Sequence, residues 1–197
     1  MSNFKFRHLT DEFDGEAGDV PCVIDSFMAE DARGSFIKDF NVDVFAKENL
    51  PTDLKEVFYT ESHRNVLRGL HFQLPADGKG QQAKIIRCIH GKVWDVVVDL
   101  RPTSSTYRKS FGMELSGNKQ LFVPKGFGHG YFVLEDSIVC YKADEVFSSG
   151  DSGIFFMDSG LQPIDWHIPA GVEPILSIKD AKLMSFDEYD KLVKAHS

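Results

Sequence analysis

Apolar and polar residues alternate over short stretches along most of this chain. From Val20 to about Ile178, runs of five to eleven residues are separated by Gly, Pro, Asn and Asp. VPCVIDSF, GSFIKDF, KEVFYTES, NVLRGLHFQ, AKIIRCIHG, KVWDVVVDL, SFGMEL, QLFVP, HGYFVL, SIVCYKADEVF and GIFFMD each read as β-strands. Many short strands at close spacing predict an all-β sandwich or barrel. In KVWDVVVDL, Trp94, Val96, Val98 and Leu100 share one face; Val93, Asp95, Val97 and Asp99 share the other. The apolar face suits packing against a sheet, and the mixed face suits a cavity or water.

Helical periodicity is confined to two short segments. Asn41 is placed to cap NVDVFAKENL, in which Val42, Phe45 and Ala46 share a face and Pro51 stops the run. Ser185 to Glu188 form a capping-box pattern that opens a helix over about 186–196. Both are expected on the outside of the β core, which spans about 20–182 of a single domain, 1–197. No repeat, low-complexity segment or linker divides the chain.

Composition narrows the functional classes. The 22 Lys and Arg against 30 Asp and Glu leave a net charge of −8, and the 17 Phe suit a pleated interior. An acidic chain lacks the basic stripe of a general nucleic-acid binder, yet a local pocket can still oppose the net sign and hold an anion. The three cysteines, Cys22, Cys88 and Cys140, form no CxxC pair and read as reduced, buried thiols. No signal peptide or membrane span is evident, so the expectation is a cytoplasmic protein without nucleic-acid or membrane partners.

Two of the seven histidines have informative surroundings. His71 interrupts an apolar strand. His129 follows a Gly-rich turn in Pro124-x-Gly126-x-x-His129-Gly130, which resembles the second signature of the cupin barrels. The first cupin signature carries His-x-His, but here it reads His71-Phe72-Gln73. Two histidines fall short of the three protein ligands usual for a catalytic metal, and an inward Lys84 would repel a cation. The expectation is a cupin double-stranded β-helix, or jelly roll, with short peripheral helices and no metal.

Longer motifs resemble one cupin family closely, the dTDP-4-dehydrorhamnose 3,5-epimerases. They are Asp31-x-Arg33-Gly34-x-Phe36, NVLRGLHFQ (65–73), KIIRC (84–88), Gly91-x-Val93-x-Asp95-Val96-x-Val98-Asp99-Leu100-Arg101, the His129 turn, Tyr141-Lys142, Ile164-Asp165-Trp166 and Leu176-Ser177-x-Lys179-Asp180-Ala181. They occur in family order over roughly 20–182.

The resemblance implies a metal-free, cofactor-free epimerase of deoxysugar biosynthesis. It would invert C3, C5 or both in a nucleotide-diphosphate-linked 4-keto-6-deoxy sugar through an enolate. His71 would be the base and Asp180 would orient it, as in a triad. Lys84 would stabilise the oxyanion, and Tyr141 would be the acid on the opposite face, its phenol pKa lowered by a cation such as Lys84. Arg33 and Arg68 would bind diphosphate, with Phe36, Lys38, Gln73, His129 and Phe147 also at the substrate. Asp95 and Asp99 match the family without a derivable role beyond structural pairing.

Arg68 and His71 lie three apart and would face opposite sides of an ideal strand. Gly69 therefore marks a candidate bulge, unless Arg68 reaches phosphate at the barrel mouth. The family exchanges the Arg33 strand between subunits, so a homodimer is implied. Where dTDP-specific members carry a Glu that contacts thymine, this chain has Lys38; the TESHR segment (60–64) is short and lacks a Gln-Asp-Asn run; and Phe147 takes the place of a second aromatic. These departures suggest another nucleotide, such as GDP or CDP, or a variant keto sugar. The alternatives are a sugar 3,4-ketoisomerase, a non-catalytic sugar-binding cupin and, least favoured, a metal-dependent oxygenase.

Overall fold

The computed structural model describes residues 4–161 and 163–194. Among these described residues eleven strands form: β1 (Lys5–His8), β2 (Cys22–Asp25), β3 (Phe27–Asp31), β4 (Gly34–Lys38), β5 (Glu56–Ser62), β6 (Leu67–Gln73), β7 (Lys84–Asp99), β8 (Ser110–Leu115), β9 (Lys119–Val123), β10 (Phe127–Ala143) and β11 (Asp151–Gly153). Two helices, α1 (Val42–Lys47) and α2 (Phe186–Lys194), and a 3₁₀ turn at Asp180–Lys182 complete the fold.

The framework is the antiparallel pair β7–β10, which runs in register from Phe127↔Asp99 to Ala143↔Lys84. The expectation divided each of these strands in two. Both continue through the irregular register between Val133 and Val139, where Gly91 takes φ +73° and packs against the backbone of Asp136. At that corner the long strands pass from one half of the sheet to the other. The first half of β7 pairs with β9, and through it with β2 and β1, while the second half of β10 pairs with β5. Beyond the corner, β8 joins β7, β6 joins β10, and β11 joins β6.

Apolar side chains from both halves meet inside. Ile86, Val93, Val97, Leu121, Phe127, Tyr131, Val133, Val139 and Tyr141 form one buried cluster. The mixed face of β7 is therefore the inner one, with Asp95 and Asp99 fully buried on it. The other face, Val96, Val98 and Leu100, packs under the C-terminal segment with Phe156, Trp166, Phe186 and Tyr189. A third cluster joins Cys22, Ile24, Ile85 and Phe122 to Phe45 of α1.

Both predicted caps form. Asn41 Oδ1 accepts the Val44 N–H at 3.1 Å. At α2, the Ser185 N–H donates to Glu188 Oε2 at 2.7 Å and the Glu188 N–H returns a bond to Ser185 Oγ at 3.3 Å. The predicted end of α2 near 196 lies outside the described residues. In α1 only Phe45 is buried; Val42 and Ala46, at i and i+4 on the same side of the helix, are exposed, so the shared face packs through Phe45. Full burial of Phe45 stabilises the contact by roughly 1.5–3 kcal/mol.

Three strand expectations change in extent. Lys5–His8 and Phe27–Asp31 are strands that alternation did not mark, and GIFFMD is extended only at its start. The three thiols are free and buried, and desolvation pushes Cys22 up to about 12 and Cys88 to about 11. No helix among the described residues is long and apolar enough to cross a membrane.

Candidate active site

One mouth of the barrel opens into a cavity of about 680 Å³ between β5, β6, β7 and β10. Phe58, Arg68, His71, Lys84, His129 and Tyr141 line it, with Phe147 at its rim. Arg68 and His71 share this cavity because of the predicted bulge. Arg68 is opposite Tyr131 and His71 opposite His129, so Gly69 and Leu70 together face the single residue Gly130. Gly69 adopts φ +120°, and a Cβ there would fall 2.6 Å from the Gly130 Cα. Only glycine fits that approach.

His71 and Asp180 meet despite their separation in the chain. The C-terminal segment returns along β6 through a parallel bridge at Val66↔Ile175 and delivers the 3₁₀ turn. His71 Nε2 lies 2.9 Å from Asp180 Oδ1. The Asp180 N–H donates to Ser177 Oγ at 2.9 Å, which fixes the turn. Burial acts to raise the Asp180 pKa, but the hydrogen bond and charge of His71, with Ser177 and Arg68, outweigh it and hold the carboxyl below its usual range. An ionised carboxylate on one ring nitrogen leaves the other nitrogen able to take a proton.

A second pair lies beside the first. His129 Nε2 sits 3.0 Å from both oxygens of Asp95. Burial pushes the Asp95 pKa up against the opposing pull of His129. Asp95 thus has a structural partner, which the sequence left unnamed. Both imidazoles are held by carboxylates through Nε2. Among the described residues, no group of three or more His, Cys, Asp or Glu side chains is arranged to hold a metal.

Lys84 enters from β7. Desolvation pulls its ammonium pKa down, and the more distant Asp151 and Glu56 resist. No carboxylate among the described residues lies within ion-pair distance of it. A desolvated cation of this kind is placed to receive developing negative charge.

Tyr141 corrects one expectation. Its ring stacks on Phe58 at 4.8 Å and 9° and meets His129 edge-on at 6.1 Å. Its pKa is not lowered by Lys84. Burial, with Tyr131 and Asp95 nearby, raises it well above 10, and Arg68 opposes only weakly. The phenol therefore keeps its proton at neutral pH, as a donor must. Alternation in KEVFYTES signals the inward Phe58 and Thr60; nothing in the pattern marks Tyr131, whose hydroxyl bonds Thr60 Oγ1 at 2.7 Å.

Other predicted contacts are placed differently. Gln73 is buried behind the cavity, in a small pocket that also touches His71, Lys84 and His129, with its amide engaged by Gly80 O (2.9 Å), Val146 O (3.4 Å) and the Ser148 N–H (3.3 Å). It tethers the loop after β10 and has no donor free for substrate. Arg68 Nε donates to Ser62 Oγ at 3.0 Å and still lines the cavity. Arg33, Phe36 and Lys38 belong to the hairpin β3–β4, which forms its own two-stranded sheet and does not line this cavity. Arg33 is exposed at its tip and bonded to Asp31.

Residues 19–188 match the family model described as dTDP-4-dehydrorhamnose 3,5-epimerase. The chain belongs to this family. An epimerase of that name from Escherichia coli (strain K12) is 40% identical over 175 residues, covering 86% of this chain and 91% of its own. A 4-keto-6-deoxy sugar epimerase from the novobiocin gene cluster of Streptomyces spheroides superposes with a TM-score of 0.84 at 30% identity, covering 98% and 92% of the two chains. The epimerase of Legionella pneumophila, solved with dTDP-4-keto-L-rhamnose, gives 0.81 at 29% identity and covers 94% of each chain. The all-β cupin jelly roll is thus the fold, and the chain is an isomerase of the sugar-nucleotide epimerase class. Both His–Asp pairs, Lys84 and Tyr141 fall inside the matched span.

Proposed function

We propose that this chain epimerises a nucleotide-diphosphate-linked 4-keto-6-deoxy sugar at C3, C5 or both, as one catalytic domain working in the cytoplasm. The observation that carries the reading is a single cavity lined by His71 on its ionised partner Asp180, by desolvated Lys84 and by protonated Tyr141. His71 removes a proton from the carbon beside the ketone, and Asp180 stabilises the imidazolium that forms. Lys84 neutralises the enolate oxygen. Tyr141 gives its proton to the other face of the carbon, and a high phenol pKa is no obstacle because an enolate carbon is a strong base. Arg68 holds diphosphate.

The active form is a homodimer in which the β3–β4 hairpin enters the partner's cavity. The hairpin pairs with no other strand among those described, and Phe36 is 60% exposed on it. Exchange would bring Arg33 to diphosphate and Phe36 and Lys38 to the nucleobase, near Phe147. Lys38 carries donors only and cannot accept the thymine N3–H, which separates that base's two acceptors, whereas cytosine (O2 and N3) and guanine (O6 and N7) present adjacent acceptors with no N–H between them. The preferred nucleotide is accordingly one such as CDP or GDP.

The test is incubation with dTDP-, CDP- and GDP-linked 4-keto-6-deoxy sugars in heavy water, read by proton NMR. Deuterium entering C3 or C5 without movement of the carbonyl is the expected result. Carbonyl migration would instead indicate a ketoisomerase, and binding without exchange would indicate a sugar-binding cupin. Equal affinity for dTDP and the other nucleoside diphosphates would overturn the nucleobase assignment alone.

A further inference from the structure

At the root of the β3–β4 hairpin, on the outer face of the barrel, lies a cluster of polar and charged side chains that the mechanism does not use. Gln120 is fully buried, and Ser26, Arg87 and Lys142 are at most 8% exposed. Ser26 immediately precedes the hairpin and Asp39 immediately follows it. One amide grips both ends: Gln120 Nε2 donates to Ser26 Oγ at 2.9 Å and to Asp39 O at 2.8 Å. Arg87 donates to Asp39 Oδ1 at 2.6 Å and to Gly117 O at 3.0 Å. Lys142 reaches Asp39 Oδ2 at 3.4 Å and Gln120 Oε1 at 3.3 Å. On the other side, Ser26 exchanges bonds with Asn118 at 2.9 and 3.0 Å.

Burying two cations and an amide against a half-buried carboxylate for stability alone is poor use of a sheet face, since well-packed apolar residues there would serve as well or better. A satisfied buried network does enforce one geometry. The hairpin beyond it needs such enforcement, because within this chain it pairs only with itself. Five residues at about 3.4 Å each make an arm of about 17 Å, so a tilt of about 10° at the root moves Arg33 by about 3 Å. Misplacement by about 1 Å is enough to cost a reaction about 10²-fold.

We propose that the Ser26–Asp39–Arg87–Gln120–Lys142 cluster is a positioning device that aims the hairpin into the cavity of a second copy of the chain, so that these residues serve the partner's reaction and not their own. The inference rests on the hairpin exchange proposed above. Its members are positioning residues; none lines the cavity.

Mixed dimers test it. Asp39→Asn keeps the size of the side chain and removes the anion that Arg87 and Lys142 share; Gln120→Met is a second, independent variant. As homodimers each is expected to raise KM for the nucleotide sugar about tenfold, with kcat changed less, because the lost interaction is one of binding. Each is then co-purified, through distinct tags, with a His71→Asn chain. Such a heterodimer holds one site with an intact His71 that receives the arm of a chain with an intact root. It should recover about half of the wild-type activity at low substrate, one of two equivalent sites being complete.

No recovery, or wild-type KM in both homodimers, would overturn the proposal, and failure of both variants to fold would reduce the cluster to a structural role. Arg33→Ala paired with His71→Asn reports on exchange itself. Recovery with Arg33→Ala but not with the root variants leaves exchange standing and removes the positioning device. No recovery with any pair, or a monomer by analytical ultracentrifugation, overturns both.

Discussion

The two His–Asp pairs of the barrel have nearly the same geometry and opposite electrostatics. His71 and His129 face each other across β6 and β10, and their carboxylate contacts are 2.9 and 3.0 Å. Asp180 arrives on a turn from outside the sheet, with Ser177 and Arg68 adding to the pull of His71, and its pKa is lowered. Asp95 rises from within the sheet at 0% exposure, with His129 as its stabilising partner, and its pKa is raised. His71 is 26% exposed to the cavity, whereas His129 is 7% exposed. Distance alone does not define a catalytic dyad. The supporting contacts of the carboxylate decide which pair can carry charge through a reaction, and access decides which meets substrate.

The largest separation between the pairs should be catalytic. His71→Asn or Asp180→Asn is expected to lower kcat/KM by about 10³–10⁴-fold, from loss of the base or of its correct tautomer. His129→Asn or Asp95→Asn should cost less than about 10²-fold, the low end of an acid–base contribution. Steady-state kinetics with the accepted substrate checks this, and equal losses would erase the distinction.

Tyr141→Phe comes next. Inversion should fall by about 10²-fold while deuterium still enters from the His71 face, because abstraction and return there do not need the phenol. Loss of exchange together with inversion would place Tyr141 in the first step.

The smallest effect is in stability, and its sign differs between the pairs. Asp180 has a depressed pKa, so its contribution is present above the unfolded value near 3.8 and is lost as pH falls through the folded one. Asp95 has a raised pKa, so the folded state binds the extra proton and stability drops as pH rises above 3.8 towards the folded value. Urea unfolding of Asp180→Asn should remove a rising slope with pH, and Asp95→Asn a falling one. Each slope is limited to about 1.4 kcal/mol per pH unit by the single proton involved. Slopes of the same sign would contradict the two environments.

Much of the fold was legible because alternation is a local property. SFGMEL is a strand from Ser110 to Leu115 as read, and both helix caps form as their side chains predict. The continuity of β7 and β10 was not legible. His90-Gly91-Lys92 and Glu135-Asp136 have the polarity of turns, yet they lie where paired strands bend together around a corner. The site divides similarly. Motifs mark His71, Lys84, Tyr141 and Asp180, but the Asp95–His129 contact is a cross-strand event with no local signature. At Tyr141 a neighbouring cation is legible in the sequence, but the burial that outweighs it is not. At Gln73 the motif marks the position but not the direction of its amide, which serves the loop after β10.

Gly69 sets the phase of its strand. A period-two strand shows every other side chain to a cavity, so two groups three positions apart end up back to back. The extra residue opposite Gly130 resets the count and lets one short strand present both a guanidinium and an imidazole to the same cavity. Laid out in a regular pleat, the same four residues would keep every motif side chain in the chain and turn His71 outward against the C-terminal apolar cluster. A relative that carried the full set of motif residues with a bulky side chain in place of this glycine could not make the close approach to Gly130, and would match by inventory and be silent as an enzyme. Within this barrel, the bulge between Arg68 and His71 is as much a part of the proposed catalyst as either side chain.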